Sequence, residues 1–111
     1  MLMTMFVLDD PALLDAVLDV WHDIGVTGAT IVESSGLNRR RAQTVDMGGA
    51  LGWPRVVERN RNGHFTIFLI VRDVEEAERC RVAAEALTGD LALPNTGVFA
   101  AWDLVLEKGA L

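Results

Sequence analysis

Gly25-Val26-Thr27-Gly28-Ala29-Thr30-Ile31-Val32-Glu33-Ser34-Ser35-Gly36 reads as a helix stop, a tight corner, a short β-strand and a glycine exit into a long polar segment. Gly25 follows the last apolar residue of a helical pattern, where a residue of positive φ commonly ends a helix. Gly28 keeps the corner clear of side-chain bulk and Thr27 offers a hydroxyl. The main-chain N–H and C=O groups between the two glycines can hydrogen-bond a planar heterocycle. Taken alone, the corner reads first as a plain connection between helix and strand, as many glycine-rich turns are.

On its N-terminal side, Leu13, Leu14, Val17, Leu18, Trp21 and Ile24 recur at three- and four-residue spacing, with Asp15, Asp19 and Asp23 between them. That is an amphipathic helix, opened by an aspartate cap and a proline at Asp9-Asp10-Pro11. His22, near its C-terminal end, is expected at the surface, where the helix dipole favours a cation. Before the helix, Leu2 to Leu8 is apolar apart from Thr4 and reads as a buried strand.

On the other side Ala29 to Ser35 forms the second strand. Residues 37–63 follow with no sustained period, broken at Gly48, Gly49, Gly52 and Pro54; so long a loop in a compact domain is usually functional or disordered. His64 to Val71 (HFTIFLIV) is the most strand-like segment of the chain. Asp73-Val74-Glu75-Glu76 then resembles a capping box. Val74, Ala77, Cys80, Ala84 and Leu87 form the expected buried stripe of a second helix, stopped by Gly89. Cys80 is thereby a small core residue rather than a nucleophile. A loop containing Pro94 and Asn95 leads into a fourth strand over Val98 to Leu106.

The order β-α-β-(long loop)-β-α-β with right-handed crossovers predicts a single α+β domain over 1–111. It is ferredoxin-like, a four-stranded antiparallel sheet with both helices on one face. Phe65, Ile67, Leu69 and Val71 alternate with Phe68 and Ile70, and Val98, Ala100, Trp102, Leu104 and Leu106 alternate with Phe99, Ala101 and Val105. A sheet apolar on both sides but covered by helices on one must bury the other face against something, and self-association is the simplest candidate.

Half of the 111 residues are apolar and the net charge is −6, which argues against a nucleic-acid partner engaging the whole surface. The charge is unevenly spread: residues 37–64 carry six arginines (Arg39, Arg40, Arg41, Arg55, Arg59, Arg61) against Asp46 and Glu58, a balance of +4 on a body of −10. Such a segment is either solvated or steers toward an anionic ligand or partner. The lone cysteine excludes an internal disulfide, and the two histidines fall on different elements, so no metal site is expected. No apolar run is long enough to cross a bilayer, and no charged stretch followed by an apolar one opens the chain. A cytoplasmic location is the default expectation.

The run Gly25 to Arg41 resembles the PII (nitrogen-regulatory P-II) signalling proteins. They typically carry G-[IV]-T-G-x-T-[VI]-x-E-x-x-G-x-G-R-Q-K here, against G-V-T-G-A-T-I-V-E-S-S-G-L-N-R-R-R in this chain. The element order is similar over most of the length. The resemblance implies a cytoplasmic homotrimer with the open sheet faces packed at its centre and an adenine nucleotide (ADP, AMP or ATP) bound as effector between subunits. It further implies regulation of a transporter or metabolic enzyme through the long loop.

Residue by residue, Gly25, Val26 and Thr27 match the corner that lines the adenine, and Arg39 matches an arginine near the phosphates. Thr88 and Gly89 match the start of the family's later loop. Arg40 stands where the family has the glutamine used with Mg²⁺ and ATP to bind 2-oxoglutarate; a guanidinium repels Mg²⁺, so that function is not expected. Between Asp90 and Gly97 the family's lysine is missing, as are its arginines beyond the fourth strand. ADP or AMP is therefore expected to bind about as well as ATP, or better. No tyrosine is present to be uridylylated. Arg40, Arg41, Trp53 and Arg55 are the candidate partner-binding residues of the loop, Trp53-Pro54-Arg55-Val56 being similar to the hydrophobic-Pro-Lys-Val that closes it in the family.

Other readings of the same fold compete. An RNA-recognition module needs stacking aromatics where the third strand has Thr66, and its charge balance is wrong. The carboxylates fall on helix exteriors at ordinary solvation spacing, so no catalytic residue is assigned and no enzyme activity is expected. A CutA-like metal-binding trimer or an ACT-like small-ligand module remains as the alternative, since fold does not fix function.

Overall fold

The computed structural model describes residues 1–35 and 64–110. They form an α+β fold with a four-stranded antiparallel sheet in the order β2-β3-β1-β4 and two helices, the ferredoxin-like arrangement. The strands are β1 (Leu2–Leu8), β2 (Thr30–Ser34), β3 (His64–Val71) and β4 (Gly97–Asp103). The helices are α1 (Leu14–Asp23), preceded by a 3₁₀ turn at Pro11–Leu13, and α2 (Val74–Thr88). The long segment 37–63, with Arg39, Arg40, Arg41, Trp53 and Arg55, lies outside the described residues.

Helix starts form where side chains replace missing main-chain partners. The Asp10 carboxylate accepts a hydrogen bond from Ala12 N at 3.0 Å, with Pro11 behind it. Asp73 accepts from Glu76 N at 2.8 Å and caps α2. The Glu76 carboxylate reaches back to Arg72 N at 3.1 Å, one residue before the cap, so the reciprocal box is closed one position early.

The core lies between the helices and one sheet face. β1 turns Leu2, Thr4, Phe6 and Leu8 toward the helices, β3 turns Ile67, Leu69 and Val71, and α2 meets them with Ala77, Cys80 and Ala84. Trp21 is 1% exposed; its ring packs against Phe6 at 5.7 Å and its indole N–H donates to the Cys80 carbonyl at 3.0 Å. A buried indole needs such a partner, and this one ties α1 to α2. Cys80 is fully buried, and burial pushes its thiol up to about 11.

Two expectations fail for identifiable reasons. Val74 is 65% exposed rather than part of the buried stripe; it is the first residue of α2, and burial of the stripe begins one turn on, at Ala77. The fourth strand stops at Asp103 rather than Leu106. It pairs with β1, and the ladder ends where Leu104 N donates to Met1 O at 3.1 Å. With no strand left to pair with, Val105 stands fully exposed and Leu106 largely so.

Register fixes the composition of the other face. Met3, Met5 and Val7 pair with Ile70, Phe68 and Thr66 on one side and with Trp102, Ala100 and Val98 on the other. The two-residue alternation turns these side chains to the face away from the buried core. The open face is therefore an apolar surface on which Trp102 and Val98 are about half exposed, as the alternation of the strands predicts.

Candidate functional site

The corner after α1 is closed by two main-chain hydrogen bonds: Gly25 N to His22 O and Val26 N to Trp21 O, each at 3.0 Å. This is the Schellman pairing, and it requires the left-handed backbone that Gly25 adopts at φ +105°. The sequence thus determines the corner through one residue. Past Val26, which packs against the core, Thr27, Gly28 and Ala29 are exposed before β2 begins.

These residues border a cleft of about 380 Å³ at one end of the sheet. Its walls are Thr27, Gly28 and Thr30 on one side and Met3, Phe68 and Ile70 of the open face on the other, with Ala110 of the C-terminal tail closing it. Among the described residues, no charged side chain lines it. A Cβ built on Gly28 would meet nothing within 4 Å, so the fold itself does not demand glycine there. An uncharged slot with aromatic and thioether surface and exposed main-chain groups suits a flat, neutral ring rather than a phosphate.

The residues anticipated from the sequence fall into three groups. Gly25, Val26 and Thr27 are together at this corner. Thr88 and Gly89 are at the opposite end of the sheet. α2 starts just after Val71, which pairs with Leu2, and its fifteen residues carry the chain about 22 Å along the sheet toward Leu8 and Gly97. There the Thr88 hydroxyl donates to the Gly89 carbonyl at 2.8 Å. Arg39 belongs to the third group, outside the described residues. One chain thus does not bring the two ends of the anticipated site together.

Phe68, Ile70 and Met3 also border the cleft, beyond the residues anticipated from the sequence. The two-residue alternation of β1 and β3 already put them on the face away from the helices, and only the position of the corner beside them was missing. Ala110 left no such signal. Elsewhere, His22 is exposed as expected, and among the described residues no group of three or more His, Cys, Asp or Glu is placed to hold a metal ion. No helix of the described residues is long and apolar enough to cross a membrane. Compared with known proteins, the chain matches no family model and no curated protein.

Proposed function

We propose that the protein is a PII-like regulatory protein: a homotrimer that binds an adenine nucleotide between subunits and signals to a transporter or metabolic enzyme through residues 37–63. The observation that carries this reading is the Gly25-Val26-Thr27-Gly28 corner. It lies in the run that resembles the PII pattern and borders an uncharged cleft beside an uncovered apolar sheet face. The cleft suits the adenine ring, Arg39 supplies a cation for phosphate, and the open face supplies the surface on which three copies pack. Arg40 in place of glutamine leaves Mg²⁺-dependent 2-oxoglutarate binding out of the function.

Calorimetric titration of ADP, AMP and ATP into the intact protein, with light scattering on the same samples, tests the proposal. The expected result is a mass of three chains and saturable binding, with ADP or AMP at least equal to ATP. Arg39→Ala should cost about 1–3 kcal/mol of binding, the worth of a charged hydrogen bond. A stable monomer, or no heat with any adenine nucleotide at millimolar concentration, refutes it.

A further inference from the structure

β4 is the edge of the sheet beyond β1. The bond from Leu104 N to Met1 O sets the parity of the β1–β4 ladder: in an antiparallel pair, hydrogen-bonded and non-bonded residue pairs alternate. Val98, Ala100 and Trp102 therefore bond to β1, while Phe99, Ala101 and Asp103 turn their N–H and C=O groups outward, away from the sheet. Edges of this kind are normally blunted by proline, lysine or a bulge. Gly97-Val98-Phe99-Ala100-Ala101-Trp102-Asp103 carries neither proline nor lysine, and its pairing with β1 runs without interruption.

Alongside this edge runs a groove between β4 and α2. It consists of two hollows of about 420 and 410 Å³ that share Arg81 and Phe99. Phe99, Ala101, Ala77 and Val74 make its floor apolar. The rim is acidic, with Glu78 and Asp103 at one end and Glu85 and Asp90 at the other. Arg81, the only cation among the described residues that line it, is already engaged: its guanidinium donates to Glu78 at 2.9 and 2.7 Å and to Glu85. The bond from Arg81 holds the Glu78 carboxyl below its ordinary range. The groove therefore presents four carboxylates against one matched guanidinium.

We propose that the β4 edge and the α2 groove bind an extended peptide of another protein as a fifth strand, with apolar residues over Phe99 and Ala101 and basic residues at both ends. Outward main-chain groups give affinity in this mode and the flanking surface gives selectivity. Pairing with the β4 of a second copy does not match the chemistry, because it would bring four more carboxylates to the same rim. The proposal does not rest on nucleotide binding: the corner cleft and the open face lie elsewhere on the sheet, and only Thr88 and Gly89 adjoin the groove, at its Asp90 end.

The test uses the intact protein and two fluorescein-labelled peptides, Lys-Val-Thr-Val-Thr-Val-Lys and its Glu-flanked counterpart, followed by anisotropy. The Lys-flanked peptide should bind saturably, more than about tenfold tighter than the Glu-flanked one, with affinity falling as salt screens the rim. Ala101→Pro removes an outward N–H from a position with no ladder bond to β1, so the fold persists, as circular dichroism and a urea midpoint would verify, and binding should drop by more than about tenfold. Asp103→Lys should narrow the preference between the two peptides. Equal binding of both peptides overturns the proposal, as does Lys-peptide binding that Ala101→Pro leaves unchanged, which would mean charge attraction alone. Failure of the Lys peptide to bind, with Ala101→Pro lowering the mass seen by light scattering, would assign the edge to a second copy and likewise overturn it.

Discussion

Gly97→Ala should be among the most damaging single-methyl additions in the chain. Gly97 begins β4 at φ +140°, paired with Leu8, in a region of backbone space that L side chains adopt at a cost of about 1–3 kcal/mol. A Cβ placed there would stand 2.2 Å from Val7 O, more than an ångström inside contact distance. Relief requires the start of β4 to swing off β1, which sacrifices one or two ladder hydrogen bonds at about 0.5–1.5 kcal/mol each. Together these give a loss of about 1.5–6 kcal/mol, a large share of the roughly 5–15 kcal/mol that holds a domain of this kind together. Urea denaturation monitored by tryptophan fluorescence would measure it, and the melting temperature should fall by about 10–20 °C. Gly28→Ala is the internal control: nothing lies within 4 Å of its Cβ and its φ is not positive, so stability should stay within about 0.5 kcal/mol. If Gly97→Ala is as stable as Gly28→Ala, the close approach of Val7 to β4 does not exist and the β1–β4 register is wrong.

Two further outcomes follow from the core. Trp21→Phe leaves the Cys80 carbonyl without the 3.0 Å indole bond and opens space beside Phe6; a loss of about 2–4 kcal/mol in the urea midpoint is expected, and a change under about 0.5 kcal/mol would contradict the coupling of α1 to α2. Cys80, whose thiol is pushed up to about 11 by burial, and then by the Glu76 charge, should react with a thiol reagent only at the rate of unfolding. Because its folded pKa lies above the unfolded one, its contribution to stability is complete below about pH 8.5 and lost as pH rises toward 11. Rapid labelling at neutral pH, or no steepening of the decline in that window relative to Cys80→Ala, would refute this.

The local chemistry was the legible part. Asp73 with Glu76, Asp10 with Pro11, and Gly25 each act within a few residues of themselves, so their spacing alone specifies the caps and the stop. The alternation of β3 likewise assigns Ile67, Leu69 and Val71 to one face and Phe68 and Ile70 to the other. What did not show was anything decided by a distant partner. Val105 and Leu106 look like strand by composition, yet β1 begins at Leu2 and offers them nothing to pair with. Val74 fits the helical stripe, yet as the first residue of α2 it stays exposed while Ala77, Cys80 and Ala84 are buried. The cleft depends on Thr27 and Gly28 arriving beside Met3 and Ile70, a juxtaposition made by strand order rather than by any one stretch.

That strand order bears directly on the proposed nucleotide site. β1 and β2 run parallel, so the corner leading into β2 falls at the Leu2 end of the sheet, whereas α2 returns the chain to the Leu8 end before Thr88 and Gly89. Among the described residues of one copy, the corner has space for a ring but no charged side chain for a phosphate. A nucleotide that uses both ends must draw them from different copies, and its binding energy is then spent on assembly as well as on contacts. Bound nucleotide stabilises whichever state binds it, so on this reading nucleotide affinity and oligomer mass rise and fall together. Binding to an isolated chain would use the ring cleft alone, with little distinction among adenosine, AMP and ATP. The phosphate dependence of affinity is therefore the quantity that separates a shared, intersubunit site from a single-chain pocket.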